Sequence, residues 1–217
     1  KLAWKTTRTL DLPRKFSFST PLAIQVEGST QIVCPGTGLV AAYEPRTGRE
    51  IWKVTYGDGY SVIPRPVFGH GLVYVCTGWG VPTLMAIRPT GRGDVTRTHV
   101  AWKQASKANV PHTPSLLLIQ DDLFLISDTG IASCVDARTG RLHWRKRVGG
   151  KFSASPTFAD GKIFLQSEQG QGVVLKPGRT FVELGRNRLE GRTFATYAIS
   201  ENALFIRTET QLYRVQK

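Results

Sequence analysis

Apolar residues in this chain gather in runs of four or five, rich in β-branched and aromatic side chains and bounded by turn formers. The five strongest are Gln31 to Cys34, Leu72 to Cys76, Leu123 to Ser127, Ile163 to Ser167 and Leu204 to Thr208. Runs of that length and composition predict strands. A shorter apolar run precedes each, opened in most cases by a proline (Pro21, Pro66, Pro114, Pro156), and a short turn such as Asp160-Gly161 joins the two. After each strong run a third strand leads into a Thr-Gly turn, and a fourth carries a tryptophan. The turn is clearest from Ala42 to Trp52 and from Cys134 to Trp144, where the tryptophan follows the glycine by four residues. A four-stranded unit returning about every 40–50 residues cannot bury its apolar face alone, so neighbouring units must stack. The pattern predicts an all-β fold, a β-propeller of four-stranded antiparallel blades.

Laid over one another, the units give an outer strand over 1–13, blades over 14–56, 57–105, 106–148 and 149–188, and an incomplete last blade over 189–217. The opening Lys1-Leu2-Ala3-Trp4-Lys5 matches Arg141 to Arg145 and reads as a fourth strand. Two arrangements stay open. Either that strand closes the last blade of a five-bladed ring, or the chain is part of a larger propeller. Within the turns, Asp136 has the geometry to accept backbone N–H bonds, and Gly48 and Gly140 can take positive φ without a Cβ clash. The tryptophans Trp52, Trp102 and Trp144 are expected to cover seams between blades. Two units depart from the pattern: Trp102 lies eleven residues beyond Gly91, and the fourth unit has no tryptophan. There Phe181, Val182 or Leu184 is expected to cover the seam.

Composition changes this picture little. The 217 residues are 41% hydrophobic and 21% charged, ordinary for a globular chain. No run approaches the ~18 apolar residues of a membrane span. The three cysteines, Cys34, Cys76 and Cys134, form no metal-ligand spacing. In the repeat alignment Cys34 and Cys76 share the small-residue position of Ser127, Ser167 and Thr208, while Cys134 matches Ala42 and Ala86. All three read as structural filler. Charge is the unusual quantity: 29 Lys and Arg against 16 Asp and Glu, a net +13. That field suits an acidic partner, or a polyanion. The cations are dispersed, however, and the densest run is Arg145-Lys146-Arg147. DNA is therefore not an expected partner.

The cassette from Ala42 to Trp52 and from Cys134 to Trp144 resembles the repeat of the pyrroloquinoline-quinone-type β-propellers. Together with the stretches Ala86 to Trp102, Ser127 to Cys134 and Leu204 to Thr208, it is similar to the quinone-repeat propeller proteins of planctomycetes and similar bacteria. More distantly it is similar to propeller lipoproteins that assist outer-membrane β-barrel assembly. The resemblance spans nearly the whole chain. It implies an extracytoplasmic protein, periplasmic or secreted, with seven or eight blades.

Quinone enzymes of that class imply calcium held by hard oxygen ligands, a carboxylate base and two adjacent cysteines against the quinone. This chain has no Cys-Cys pair and gathers no such ligands in sequence, so no cofactor, metal or catalytic residue is expected. His70, His99, His112 and His143 are scattered, and Arg92-Gly93-Asp94 reads as an ordinary turn. One carboxylate pattern recurs. Asp128, Glu168 and Glu209 follow the small residue in three successive units. They should share a face with the inter-blade loops that carry Lys15, Arg65, Lys107, Lys151 and Arg192. Two readings of this rim stay open: a surface that docks a partner or a cation, or carboxylates that simply cap turns. The functional expectation is a non-catalytic scaffold for protein partners outside the cytoplasm, with cell-envelope assembly as its setting. The alternatives are part of a quinone-dependent dehydrogenase or sugar-related enzyme or sensor whose active residues lie outside this chain, and a polyanion-binding basic propeller.

Overall fold

Twenty strands in five sheets, antiparallel but for one two-residue pair, account for the regular structure of the described residues in a computed structural model, which describes residues 1–8, 10–57 and 59–216. The first sheet holds β1 (Leu22–Val26), β2 (Ser29–Gly36), β3 (Leu39–Tyr43) and β4 (Glu50–Thr55). The second sheet holds β5 (Val67–Gly69), β6 (Leu72–Cys76), β7 (Thr83–Ile87) and, after the two-residue β8 (Gly93–Asp94), β9 (Val100–Ala105). The third holds β10 (Leu117–Ile119), β11 (Asp122–Ile126), β12 (Ile131–Asp136) and β13 (Leu142–Arg147). The fourth holds β14 (Thr157–Ala159), β15 (Lys162–Gln166), β16 (Gln171–Leu175) and β17 (Glu183–Arg188). The last has three strands, β18 (Ala198–Ser200), β19 (Ala203–Arg207) and β20 (Leu212–Gln216). Among the described residues there is no helix, hence none long and apolar enough to cross a membrane. The fold is the all-β, bladed architecture expected of a propeller.

The chain forms two compact units. One comprises residues 1–112 with 138–140, the other residues 113–137 with 141–217. The core of the first unites Ile24, Val33, Val40, Trp52 and Val54 with Val73, Met85 and Ile87 of the next sheet. The core of the second joins Phe124, Ile126, Cys134 and Trp144 to Phe152, Ile163, Leu165, Val173 and Leu175. In both, the second and third strands of adjacent sheets supply most of the contact surface, because those strands carry the apolar runs.

Local chemistry sets the register. Each sheet opens with a two-residue hairpin: Val26 pairs Ser29, Gly69 pairs Leu72, Ile119 pairs Asp122, Ala159 pairs Lys162 and Ser200 pairs Ala203. In four of them both turn residues have positive φ (Glu27-Gly28, His70-Gly71, Asp160-Gly161, Glu201-Asn202), the type I′ geometry whose twist matches the strands. A β-bulge then recurs where the third and fourth strands part, at Ala42/Tyr43, Ala86/Ile87, Cys134/Val135 and Val174/Leu175. The extra residue turns the chain into the Thr-Gly loop. In the first sheet that loop is closed by the Glu44 carboxylate, which accepts Arg46 N at 3.1 Å and Thr47 N at 3.0 Å. These bonds, the Thr47 hydroxyl foremost, hold its carboxyl below the usual range.

The register also explains the tryptophans. Trp52 lies across from Ala42, Trp102 from Ala86 and Trp144 from Cys134, so a small residue always makes room for the indole. Each ring then covers a cassette turn. Trp4 Nε1 donates to Pro45 O at 2.8 Å and its ring lies against Gly48; the ring of Trp102 lies against Gly140. Trp144 Nε1 donates to Gly178 O at 2.9 Å, in the turn of the following blade. Trp52 differs, donating at 2.8 Å to Gln31, whose amide in turn donates to Pro89 O.

Three expectations are corrected. Residues 1–8 and 10–13 form no strand, although Trp4 occupies a turn as its counterparts do. The long turn of the second blade is no plain loop: its Gly93-Asp94 pairs in parallel with Trp52-Lys53 and adds a fifth strand to the first sheet. Arg92-Gly93-Asp94 thus shields a sheet edge, a device that blocks unwanted strand pairing. Asp94 is also tied to Thr96 through its hydroxyl and N–H, which lowers its pKa. Third, neither Cys34 nor Cys76 is the equivalent of Ser127: in the first sheet Gly36, two residues beyond Cys34, takes that position. Gly69-His70-Gly71 resembles a three-residue turn, but Gly69 is already paired, so the alignment shifts by one and Thr77 takes the position.

Candidate functional site

Hydroxyl residues at the end of the second strand build the turns that follow it in each unit. Ser127 Oγ accepts Ile131 N at 3.1 Å, Ser167 Oγ accepts Gln171 N at 3.0 Å, and Thr208 Oγ1 accepts Gln211 N at 3.1 Å. Thr77 does the same with Thr83 N at 3.0 Å. These side chains satisfy the turn donors locally, as Ser and Thr do in short loops. The next residue in the second unit is a carboxylate (Asp128, Glu168 or Glu209), and its backbone is engaged by the linkers between blades.

Phe152 N donates to Asp128 O at 3.0 Å, and Glu168 N to Lys151 O at 2.7 Å. The scheme repeats one blade on: Thr193 N donates to Glu168 O at 3.1 Å, and Glu209 N to Arg192 O at 3.0 Å. A belt of backbone bonds therefore brings Asp128, Lys151, Glu168, Arg192 and Glu209 onto one rim of the second unit. Their side chains differ in engagement. Glu168 Oε1 accepts Ser153 Oγ at 2.6 Å, while Arg192 and Glu209 meet at 3.8 Å with both side chains more than half exposed. Arg192 also stacks over Phe194 at 4.8 Å. An exposed ion pair of this kind contributes little to stability. It leaves both charges accessible to a partner.

Lys15, Arg65 and Lys107 lie in the first unit, all exposed, on its inter-blade segments. Lys15 pairs with Asp11 at 3.1 Å. No carboxylate stands in the corresponding turns there, which carry Gly36-Thr37-Gly38 and Thr77-Gly78. Phe16 O there accepts Ser61 N at 3.0 Å and Thr37 Oγ1 at 2.7 Å.

A second cluster escaped the sequence. Asp122, Asp136 and His143 offer ligand atoms within 4.8 Å of one another. His143 Nε2 lies 3.1 Å from Asp122 Oδ1, and Arg179 binds Asp122 through Nε at 3.1 Å and Asp136 through Nη2 at 3.3 Å. The resident cation of this cluster is the Arg179 guanidinium, reaching from the next blade's turn, where Gly178 receives Trp144. Nothing in the spacing of these four residues signals their meeting, because they come from two hairpins and two blades. Beside them the Cys134 thiol is pushed up to about 12 by burial and by the Asp122 charge, which makes it a poor nucleophile. Cys34, Cys76 and Cys134 stand in three different strands. With no vicinal cysteines and with its nearest carboxylate pair clamped by arginine, the donor set does not fit a calcium-bound quinone.

The fourth blade differs from the others at one position. Gly185 faces Val174 where the other blades set tryptophan across from Ala42, Ala86 or Cys134. Phe181 does not cover that seam: it packs edge-on against Trp144, with ring centroids 5.1 Å apart, on the preceding side. Val182 and Leu184 are exposed. A cleft of about 890 Å³ remains between the fourth and last sheets, lined by Phe164, Val174, Ile199, Leu204 and Val215.

Comparison with known proteins agrees with this geometry. The family model described as Outer membrane protein assembly factor BamB matches residues 36–115 and 93–180, which is more than half of the chain. No curated protein matches it in sequence. Among solved structures the chain is similar to BamB from Moraxella catarrhalis, with a TM-score of 0.66 and 15% identity over 94% of this chain and 59% of that one. It is also similar to the computationally designed Ika8 protein, with a TM-score of 0.64 and 12% identity over 89% of this chain and 57% of that one. The chain thus spans less than two thirds of the length of either. Repeat, register and family match converge on one statement: this chain belongs to the pyrroloquinoline-quinone-like repeat propeller family described as outer membrane protein assembly factor BamB.

Proposed function

We propose that the chain is a non-catalytic scaffold that presents loops to protein partners outside the cytoplasm, in the assembly of the cell envelope. The observation that carries this reading is the rim of the second unit. Its backbone is tied from linker to turn at Asp128, Lys151, Glu168, Arg192 and Glu209, and several of its charged side chains point into solvent. Rigid backbone with accessible side chains lowers the ordering cost of binding. The extracytoplasmic setting is supported by the family's description and by the BamB fold. The net charge of +13 favours partners with acidic surfaces.

Site-specific photo-crosslinking tests the reading. A photoreactive residue at Arg192 or Glu209 is expected to give discrete protein adducts with an envelope fraction, competed away by excess unmodified chain. The same residue at Lys162, at the other end of the neighbouring strand β15, should give none. Equal adducts at Lys162, or the same adducts from a cytosolic fraction, would overturn it.

A further inference from the structure

The first unit carries an exposed row of aromatic rings that no core or turn accounts for. Phe16 and Phe18 are 47% and 65% exposed, and Trp79 and Val81 are 47% and 55% exposed. Phe16 stands 6.0 Å from Phe18 and, edge-on, 6.0 Å from Tyr60. Trp79 stands 4.7 Å from His112. Tyr60 and Trp79 exchange both backbone bonds, at 3.2 and 2.8 Å, as a cross-strand pair whose side chains share a face. Five large rings thus run along segments from three inter-blade linkers and one turn.

The row is not a flexible loop. Ser61 N donates to Phe16 O at 3.0 Å and Phe18 N to Val62 O at 2.8 Å. The hydroxyls of Ser17 and Ser19, pointing the other way, bond Val62 O and Pro64 O at 3.2 and 2.9 Å. Gly78, with φ +73°, lets its segment approach closely: a Cβ there would lie 2.6 Å from Tyr60 O. Alternation puts the serines inward and the phenylalanines outward. Leaving such rings in water is unfavourable by the apolar area each exposes, and aromatic residues with arginine are the types that anchor protein interfaces.

Charge narrows the occupant. In sequence, the stretches 11–19, 56–65, 77–82 and 106–112 hold Arg14, Lys15, Arg65 and Lys107 against Asp11 and Asp58. Arg14 lies over the Tyr60 ring at 4.1 Å, and Lys15 is paired with Asp11. A nucleic-acid strand would need a cation for nearly every phosphate beside the stacking rings. Here the two cations nearest the rings in sequence are already engaged, and the surplus is modest. An apolar, mildly acidic polypeptide matches better.

We infer that this row is a docking surface for an extended acidic segment of a partner protein, whose large apolar side chains pack onto Phe16, Phe18 and Trp79. This deepens the scaffold reading by adding a first-unit surface to the second-unit rim, and it is tested independently of that rim. The test is fluorescence anisotropy of the full chain with a labelled short peptide that alternates phenylalanine or leucine with glutamate. Phe18→Ser and Trp79→Ser should each weaken binding by about tenfold or more, and Phe158→Ser, which removes an exposed ring from the second unit, should leave it within about twofold. The variants' circular dichroism should match the parent's, since the rings are exposed. A lysine-for-glutamate peptide should bind more weakly. Failure of the glutamate peptide to bind, equal loss in Phe158→Ser, or tighter binding of oligothymidylate abolished by the same substitutions would each overturn the inference. The crosslinking at Arg192 and Glu209 would be untouched by that failure.

Discussion

Replacing Trp144 by alanine is expected to lower the stability of the second unit by about 3–5 kcal/mol, the range for deleting a buried aromatic from a core that cannot collapse. The ring is 8% exposed and lies between Phe124, at 6.3 Å, and Phe181, at 5.1 Å. Its Nε1 donates to Gly178 O in the next blade's turn. Alanine removes the packing on both sides and leaves that carbonyl without the indole donor. Trp144→Phe separates the two contributions. It keeps a ring between Phe124 and Phe181 but loses the bond, and should cost about 1–2 kcal/mol. Urea titration followed by far-UV circular dichroism reads both. A loss under about 1 kcal/mol for Trp144→Ala would mean that the seam between the third and fourth blades is held by something other than this ring.

The second large effect is expected at Gly170, in the rim turn of the fourth blade. Its φ is +78°, and a Cβ there would stand 2.2 Å from Leu189 O and 2.9 Å from Gly191 O, both backbone atoms of the linker that the turn engages. Left-handed backbone costs a non-glycine residue about 1–2 kcal/mol by itself. The clash comes on top, because Leu189 N also donates to Gly170 O at 2.9 Å, so the linker cannot withdraw without breaking that bond. Gly170→Ala should therefore cost more than about 3 kcal/mol, in the exceptional range for a single substitution. Gly161→Ala is the control. Its φ of +67° is similar, but nothing lies within 4 Å of the added methyl. It should show only the left-handed cost, about 1 kcal/mol. Equal losses at the two glycines would show that the linker does not press on the rim turn.

Much of the architecture is legible in the sequence because it is repetitive. Strand-length apolar runs, two-residue turns and the Thr-Gly cassette each occur several times, so an error in one copy is corrected by the others. The pairing of a small residue with each tryptophan is legible too, since Ala42, Ala86 and Cys134 fall at one position of the repeat. What repetition cannot show are contacts between different copies. Arg179 finds Asp122 and Asp136, and Gln31 joins Trp52 to Pro89, through pairs of blades whose juxtaposition has no local signal. The register error at Cys76 has the same origin: Gly69 looks like a turn residue by composition but is paired with Leu72.

The rim was only half legible. The regular spacing of Asp128, Glu168 and Glu209 placed them on equivalent turns. The belt of backbone bonds that fixes them depends on linkers, such as Gly149 to Phe152, that carry no periodic pattern. The aromatic row of the first unit has no sequence signal for a related reason. Phe16 and Phe18 precede the first strand, and Trp79 sits in an irregular turn, so nothing in the repeat marks them as exposed.

The central claim is that linker-to-turn hydrogen bonds make the rim a pre-organised surface, and amide hydrogen exchange tests it most directly. The N–H groups of Phe152, Glu168, Thr193 and Glu209 each donate across such a junction at 2.7–3.1 Å. They should exchange orders of magnitude more slowly than the exposed Gly161 in its hairpin turn. Exchange at these four amides as fast as at Gly161 would contradict the account.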